Sequence, residues 1–437
     1  VGTGYVGLVS GAWFSEFGVD VTCVYRDLDK ITRLRNGIMP IFEPGLDELV
    51  ARNVKAGRLH FVTELDEAVQ NADAIFIAVG TPSRRGDGHA DLSYVYDAAR
   101  EIARALRPGS VVVTKSTVPV GTGREVARII RDIRPDLSFD QVSNPEFLRE
   151  GSAIDDFMRP DRVVIGASSD HAKQVMQSLY RPLYLLETPI LFTSVETSEL
   201  IKYAANGYLA TKISFINEMA DLCEALGCDV QDVARGMGLD GRIGRKFLHA
   251  GPGFGGSCFP KDTLALAQTA RDAKTPLGII EQVISINDQR KKSMAPRIIN
   301  ALKTQTGGDV AGKTIAILGV TFKPNTDDMR DSPSLEIIPL LQRAGITVKA
   351  FDPEGMKEAQ KYLKDVTWCQ DEYDCAATAD AVVLLTEWNR FRALDLARLK
   401  SLLKHPLMVD LRNVYAPGMM RQAGFAYYSI GRAVVKG

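Results

Sequence analysis

A chain of 437 residues is long enough for two or three domains, and its 45% hydrophobic and 24% charged content is ordinary for a globular protein. A formal net charge of −1 gives no basic surface for nucleic acid or an anionic membrane, and no apolar run reaches the roughly 18 residues of a membrane span. No signal-peptide pattern opens the chain, the six cysteines form no C-x-x-C pair, and the five histidines lack metal-ligand spacing; a cytoplasmic protein with reduced thiols and no metal is expected.

The chain opens "VGTGYVG", where Gly2, Gly4 and Gly7 follow the G-x-G-x-x-G spacing of a dinucleotide-binding turn. Only Val1 stands where the preceding strand should run, so the N-terminus is expected to be incompletely represented. Strands are predicted at "VDVTCV", "ADAIFIAVG" (72–80), "GSVVVTKSTVP" (109–119) and "DRVVIGA" (161–167), with helical periodicity in "ELDEAVQNA" and "DLSYVYDAAREIARAL" between them. This is the alternation of parallel βαβ units, whose ligands bind outside the carboxyl ends of the strands. Thr81, Ser116, Thr117 and the loop "NPEFLREG" (144–151) fall at those ends.

The middle changes character. Residues 194–227 are rich in Ala and Leu, lack proline and stop at Gly227, which predicts one very long helix; "DTLALAQTARDA" and the stretch to residue 302 continue the helical pattern. A long helix with a surplus apolar stripe predicts a subunit contact, hence a homodimer or larger homo-oligomer. The last third returns to strands at "KTIAILGVTFKP" (313–324) and "TVKAFDP" (347–353), and "TADAVVLLTEWN" (378–389) repeats the layout of "NADAIFIAVGTPS" (71–83). The expected fold is therefore α/β: a Rossmann-like domain over 1–190, a helical linker and dimerisation region over 191–302, and a second Rossmann-like domain with a parallel sheet over 303–437. The second lobe has "GVTFKPNTDDMRD" in place of the glycine turn, so it is expected to bind a different ligand.

Four groups of residues carry candidate chemistry. Cys258 follows the glycine-dense "GPGFGGS" and precedes Asp262 by four residues; a thiol there is either a nucleophile helped by a cation such as Lys261 or a small turn filler. Lys202 and Asn206, at i and i+4 of the long helix, suit an oxyanion, unless Glu199 pairs with Lys202 on a solvated stripe. Thr117, Glu146 and Glu150 bring a hydroxyl and two carboxylates to the first-lobe crevice. Lys323, Arg330 and Arg412 suit a phosphate-bearing substrate, or pair at the surface with Asp327, Asp328 and Asp331.

Taken in order, "GTGYVGLVSGA", "PIFEPGLDELV", "VGTPS", "STVPVGT", "NPEFLREGSAIDDF", "ELIKYAAN", "KISFINE", "GFGGSCFPKD", "GVTFKPNTDDMRDSPS" and "DLRNVY" resemble the nucleotide-sugar 6-dehydrogenases of the UDP-glucose/GDP-mannose dehydrogenase family. The resemblance runs along essentially the whole chain. It implies oxidation of the C6 alcohol of UDP-glucose to the carboxylate, through a thiohemiacetal and a thioester on Cys258, with two dinucleotides reduced per product. GDP-mannose or a UDP-N-acetylated hexosamine is the neighbouring substrate class. The resemblance implies catalytic roles for Cys258, Lys202, Asn206, Asp262, Thr117 and Glu146. It implies cofactor contacts from Gly2, Gly4, Val6, Gly7, Tyr25, Arg26, Lys30, Thr81, Thr117, Glu150, Lys261 and Arg330. Substrate contacts are implied for Phe147, Leu148, Arg149, Glu150, Lys202 and Asn206, for Arg242, Phe247, Leu248, His249, Gly251, Phe254 and Gly255, and for Phe322, Lys323 and Arg412. Rivals are an epimerase, which needs no thiol, and a non-catalytic dinucleotide sensor.

The cofactor implied is NAD, with one departure. At position 25, where the family usually carries an acid that holds the adenosine ribose, this chain has Tyr25, followed by Arg26. Loss of the acid removes a repulsion of about 4 kcal/mol toward a 2′-phosphate, and an arginine fork suits phosphate, so acceptance of NADP is expected. The alternative is that Arg26 stacks on adenine while Asp27 or Asp29 partly replaces the lost acid and NAD is still used. Trp13, also unusual for the family, is expected beside the same adenosine end.

Overall fold

The computed structural model describes residues 1–84 and 88–436. The chain divides into two compact units, Val1–Ala205 with Ala265–Pro276, and Asn206–Leu264 with Leu277–Gly437.

The first unit carries seven strands: β1 (Val21–Val24), β2 (Leu59–Val62), β3 (Ala74–Ile77), β4 (Ser110–Thr114), β5 (Phe139–Ser143), β6 (Val163–Gly166) and β7 (Ile190–Thr193). β1 and β2 pair in parallel, and β3 to β7 form a five-stranded sheet in that order. The two are joined through the first residues of the chain: Gly2 N–H donates to Val24 O and Ala78 N–H to Val1 O. β4 is buried at every position, as expected of a central strand covered by helices on both faces. The sheet is not wholly parallel: β5 and β6 run antiparallel, because the chain between them is the 144–151 loop and one short helix, Ala153–Met158, rather than a crossover. β2, β5 and β7 were not among the predicted strands.

The second unit holds β8 (Thr314–Leu318), β9 (Thr347–Phe351), β10 (Val366–Trp368), β11 (Ala381–Leu384), β12 (Leu407–Asp410) and β13 (Ala426–Ser429). All are parallel, in the order β10-β9-β8-β11-β12-β13, which is the doubly wound arrangement with its switch point between β8 and β11. Asp352, just past β9, is the positional counterpart of a ribose-holding acid, yet it is fully buried. It accepts from the N–H groups of Val320, Thr321, Glu354 and Gly355 and from the Trp388 indole. A carboxylate so engaged holds the β8 turn closed and leaves no oxygen for a ribose.

The long helix runs Val195–Leu226 without proline and ends at Gly227, whose φ of +72° ends it at low cost. Helices Phe259–Asp272 and Gly278–Thr306 follow. In the second unit one side of the long helix leaves Tyr208, Phe215, Leu222 and Leu226 exposed, at spacings of 7, 7 and 4. Among the described residues no helix is long and apolar enough to cross a membrane, and no group of His, Cys, Asp or Glu could hold a metal ion.

Candidate active site

In the first unit the glycine turn has the shape of a phosphate cradle. Gly2 has φ +102° and a Cβ there would sit 2.5 Å from Ala78 O; a Cβ on Gly7 would meet Gly2 O at 2.0 Å. Gly4 has open space in front of it and stands as N-cap of helix Tyr5–Glu16 without any side-chain cap. The first N–H groups of that helix are thus left for an anion, where the dipole favours one. These features fit a dinucleotide pyrophosphate. Tyr5 O–H donates to Glu43, which also accepts from Gly151 N–H at 2.6 Å and Ala153 N–H at 2.7 Å. Glu43 ties the turn to the 144–151 loop, a linkage unassigned within "PIFEPGLDELV".

The adenosine-end residues divide. Tyr25 follows β1, with the Lys30 ammonium 4.4 Å from its ring centroid. Arg26 is ion-paired with Glu101, and Asp27 accepts from Lys30 N–H as the N-cap of helix Leu28–Arg35. Asp27 thus spends one carboxylate oxygen on the helix start. Trp13 corrects the expectation made for it: 1% exposed, it packs against Phe14, Phe17, Phe157 and Tyr180 with ring centroids 4.6–5.8 Å away, so it is a core residue.

At the strand ends, Thr81 Oγ1 donates to Thr117 O at 2.9 Å and Ser116 Oγ to Val79 O at 2.7 Å. Glu199 does not pair with Lys202. Its carboxylate accepts from Gly121 N–H and Gly123 N–H, both at 2.7 Å, and so caps helix Thr122–Ile133; burial raises its pKa to about 7 against those two donors. Lys202 pairs instead with Glu146, Nζ to Oε1 3.2 Å, at 3% and 6% exposure. The other Glu146 oxygen accepts from Leu148 N–H at 2.5 Å. The bland reading of Lys202 as part of a solvated stripe is thereby excluded. Phe147 has the Arg162 guanidinium 3.6 Å and the Lys202 ammonium 5.4 Å from its ring centroid. Arg149 forks onto Asp156, Leu148 is half-buried against the core, and Glu150 lies half-buried beside them.

In the second unit Cys258 immediately precedes helix Phe259–Asp272, its carbonyl accepting from Asp262 N–H at 2.8 Å. The thiol is half-buried, 3.5 Å from Ser257 Oγ, at the helix end where the dipole favours negative charge. One turn on, Asp262 is 1% exposed and both its oxygens are engaged: Asn206 Nδ2 donates at 2.6 Å and Lys261 Nζ at 2.5 Å. The loop before the thiol is held by contacts only glycine permits. Gly256 has φ +82°, donates to Arg330 O at 2.8 Å, and a Cβ there would lie 2.6 Å from the Phe322 ring; a Cβ on Gly255 would lie 2.3 Å from Asp331 O. Phe254 exchanges two backbone hydrogen bonds with the Asn287 amide, at 2.8 and 3.0 Å, and Gly251 N–H donates to Asn217 at 2.8 Å while its carbonyl accepts from Arg290. Asn217, Asn287 and Arg290 went unseen in the sequence, since they lie on helices far from the loop they hold.

The expected substrate residues are less uniform. Arg412 donates to Phe322 O and Leu385 O, both at 2.9 Å, and so braces the turn bearing Phe322 and Lys323. Lys323 lies 5.2 Å over the Phe322 ring. Arg330 forks onto Asp328 and Arg242 onto Asp240, both exposed. Phe247 takes φ +66° and its ring lies 5.9 Å from that of Phe259, while His249 is exposed. Leu248 has its side chain 3% exposed within the core around Ile216 and Met294.

Three models of one family match in succession: the UDP-glucose/GDP-mannose dehydrogenase family NAD binding domain over residues 1–184, its central domain over 196–289 and its UDP binding domain over 316–417. The chain is 61% identical to a UDP-glucose 6-dehydrogenase of Rhizobium meliloti (strain 1021), covering 99% of this chain and 98% of that one. It is 48% identical to UDP-glucose 6-dehydrogenase TuaD of Bacillus subtilis (strain 168), covering 100% and 93%. Among solved structures, a UDP-glucose dehydrogenase from Pyrobaculum islandicum superimposes with a TM-score of 0.89 at 39% identity, covering 98% of this chain and 96% of that one. A glycine cradle at a helix start, a half-buried thiol at another, and a buried Asp–Asn–Lys cluster one turn beyond it agree with those matches: the chain belongs to the UDP-glucose/GDP-mannose dehydrogenase family.

Proposed function

We propose that the protein is an NAD-dependent UDP-glucose 6-dehydrogenase, oxidising the C6 alcohol of UDP-glucose to the carboxylate of UDP-glucuronate. The observation that carries this reading is Cys258 at a helix N-terminus, one turn before an Asp262 held by Asn206 and Lys261. An aldehyde cannot release a second hydride until a nucleophile has added to its carbon, and the thiol is that nucleophile.

Gly2, Gly4, Val6 and Gly7 would hold the pyrophosphate of NAD, with Tyr25, Lys30, Thr81, Thr117 and Glu150 as its further contacts in the first unit; the cofactor would supply the hydride acceptor, two molecules per product. Cys258 Sγ adds to the C6 aldehyde, forming the C–S bond of a thiohemiacetal; once oxidised, this is a thioester. Water then attacks the thioester carbon, the C–S bond breaks, and the thiol and the sugar carboxylate are released. Asp262 takes the proton of that water, its carboxylate oriented by Asn206 and Lys261. Lys202 supplies a charged donor and Asn206 a neutral one, one helical turn apart, for the oxygen that becomes anionic at C6. The pairing of Lys202 with Glu146 supports this, since burying an ammonium is less costly when it is paired. The second unit takes the uridine diphosphate, with Phe254, Gly255, Phe322, Lys323 and Arg412 at the turn they share.

We further read the exposed row Tyr208, Phe215, Leu222 and Leu226 as the contact with a second copy, because an apolar row at heptad spacing is a helix-pairing surface. Six free cysteines fit a reducing compartment, the cytoplasm.

The test is absorbance of the reduced cofactor with UDP-glucose, against GDP-mannose and a UDP-N-acetylhexosamine. Two reduced cofactors per UDP-glucuronate are expected, and Cys258→Ser should stop acid formation. Serine at full activity would end the thioester route, and no net cofactor reduction would leave an epimerase.

A further inference from the structure

Among the described residues, Lys115 is the most deeply buried lysine or arginine that the mechanism above does not use. It follows β4, is 3% exposed, and its backbone N–H donates to Ile77 O at 2.9 Å. Its ammonium donates to Asn144 Oδ1 at 3.0 Å and to Tyr180 Oη at 3.1 Å, while Tyr180 O–H donates to the same Asn144 oxygen at 2.6 Å. The three groups close a triangle. Asn144 completes it by donating through Nδ2 to Val164 O at 2.8 Å, on β6, and through its backbone N–H to Thr114 O at 2.9 Å, on β4. The Phe157 and Tyr180 ring centroids lie 5.2 and 5.8 Å from the ammonium.

Asn144 is the first residue of the loop that carries Glu146 two positions later. We propose that Lys115 is a positioning residue for the reaction: through Asn144 and Tyr180 it fixes the start of the 144–151 loop, and so the Glu146 carboxylate that holds Lys202. The proposal rests on the reading of Lys202 as the charged donor to the C6 oxygen. A lysine is an expensive way to fill a core, and one with two hydrogen-bond partners on separate elements orients them both.

Charge gives the site a second property. The charged or titratable groups facing Lys115 are Tyr180, Glu146 and Lys202; burial, with help from Lys202 and against Glu146, lowers the lysine to about 7. Two cations, Lys115 and Lys202, and one carboxylate, Glu146, thus share this interior of the first unit.

The test compares Lys115→Met, Tyr180→Phe and Lys202→Met in the full-length protein, measuring kcat, each KM and the pH profile of kcat. Lys115→Met is expected to lower kcat by about tenfold or more with each KM changed less than about threefold, and to alter the limb of the profile near neutrality. Tyr180→Phe, which keeps the ring, removes two sides of the triangle and leaves the Lys115–Asn144 bond, should move kcat in the same direction by less. Should the methionine variant not fold, Tyr180→Phe carries the test. Loss of activity in Lys202→Met together with unchanged kcat and pH profile in the other two variants would overturn the positioning role; full activity in Lys202→Met would instead overturn the reading beneath it.

Discussion

Gly256→Ala tests whether the loop before the thiol is rigid by construction. The native residue has φ +82°, a region that costs an L-residue roughly 1–2 kcal/mol. The added methyl would also lie 2.6 Å from two atoms of the Phe322 ring, far inside contact distance, and overpacking of that kind costs about 1–3 kcal/mol. The backbone on both sides of the contact is held, Arg412 donating to the Phe322 carbonyl at 2.9 Å and Gly256 N–H to Arg330 O at 2.8 Å, so relief must come from rotation of the ring or a shift of the loop. The sum, about 2–5 kcal/mol, must appear either as lost stability or as a displaced loop two residues before Cys258. A displacement near 1 Å at a nucleophile lowers kcat by about a hundredfold. The assay is thermal melting together with kcat, against Gly236→Ala as control. Gly236 sits exposed in helix Val230–Gly238 with nothing within 4 Å of its added methyl, and alanine there should be neutral or stabilising by up to about 1 kcal/mol. A Gly256→Ala protein with wild-type melting and wild-type kcat would refute the reasoning.

Glu199, raised by burial to about 7 from an ordinary 4.5, binds its proton more tightly folded than unfolded; the stability this gives is complete below about 4.5 and is lost as pH rises through 7. Glu199→Gln should therefore flatten the melting temperature between those values, and an unchanged slope would show that the carboxylate stays ionised on its two glycine donors. Lys115 has the opposite sign: its pKa is lowered, so its cost to stability is full below about 7 and fades toward the unfolded value near 10.5. The melting difference between wild type and Lys115→Met should be largest below pH 7. At the adenosine end, with Tyr25 in place of an acid, kcat/KM for NAD should exceed that for NADP by less than about tenfold, or about 1.4 kcal/mol. Glu101→Gln, which releases Arg26, should narrow the ratio and Tyr25→Asp widen it; a wild-type ratio well above tenfold would end the idea.

Much of this protein could be read along the chain because its signals are local. The glycine turn, the proline-free run ending at Gly227 and the thiol before a helix are each set by backbone freedom and side-chain periodicity within a few residues. β2, β5 and β7 escaped because four or five residues such as "LHFV" or "FDQVS" become strands only when a neighbour supplies their hydrogen bonds. Partner choice was decided by tertiary structure alone. Lys202 had Glu199 one turn away and took Glu146, 56 positions earlier in the chain, because Glu199 was claimed by the two glycine N–H groups at the start of helix Thr122–Ile133. Trp13 went to the core because the fold gathers four aromatic rings around it, and Asp352 turned its carboxylate onto the backbone beside it. Sequence spacing states which groups share a helix face; which of two acids a buried cation meets depends on how many unpaired donors the folded chain brings to each.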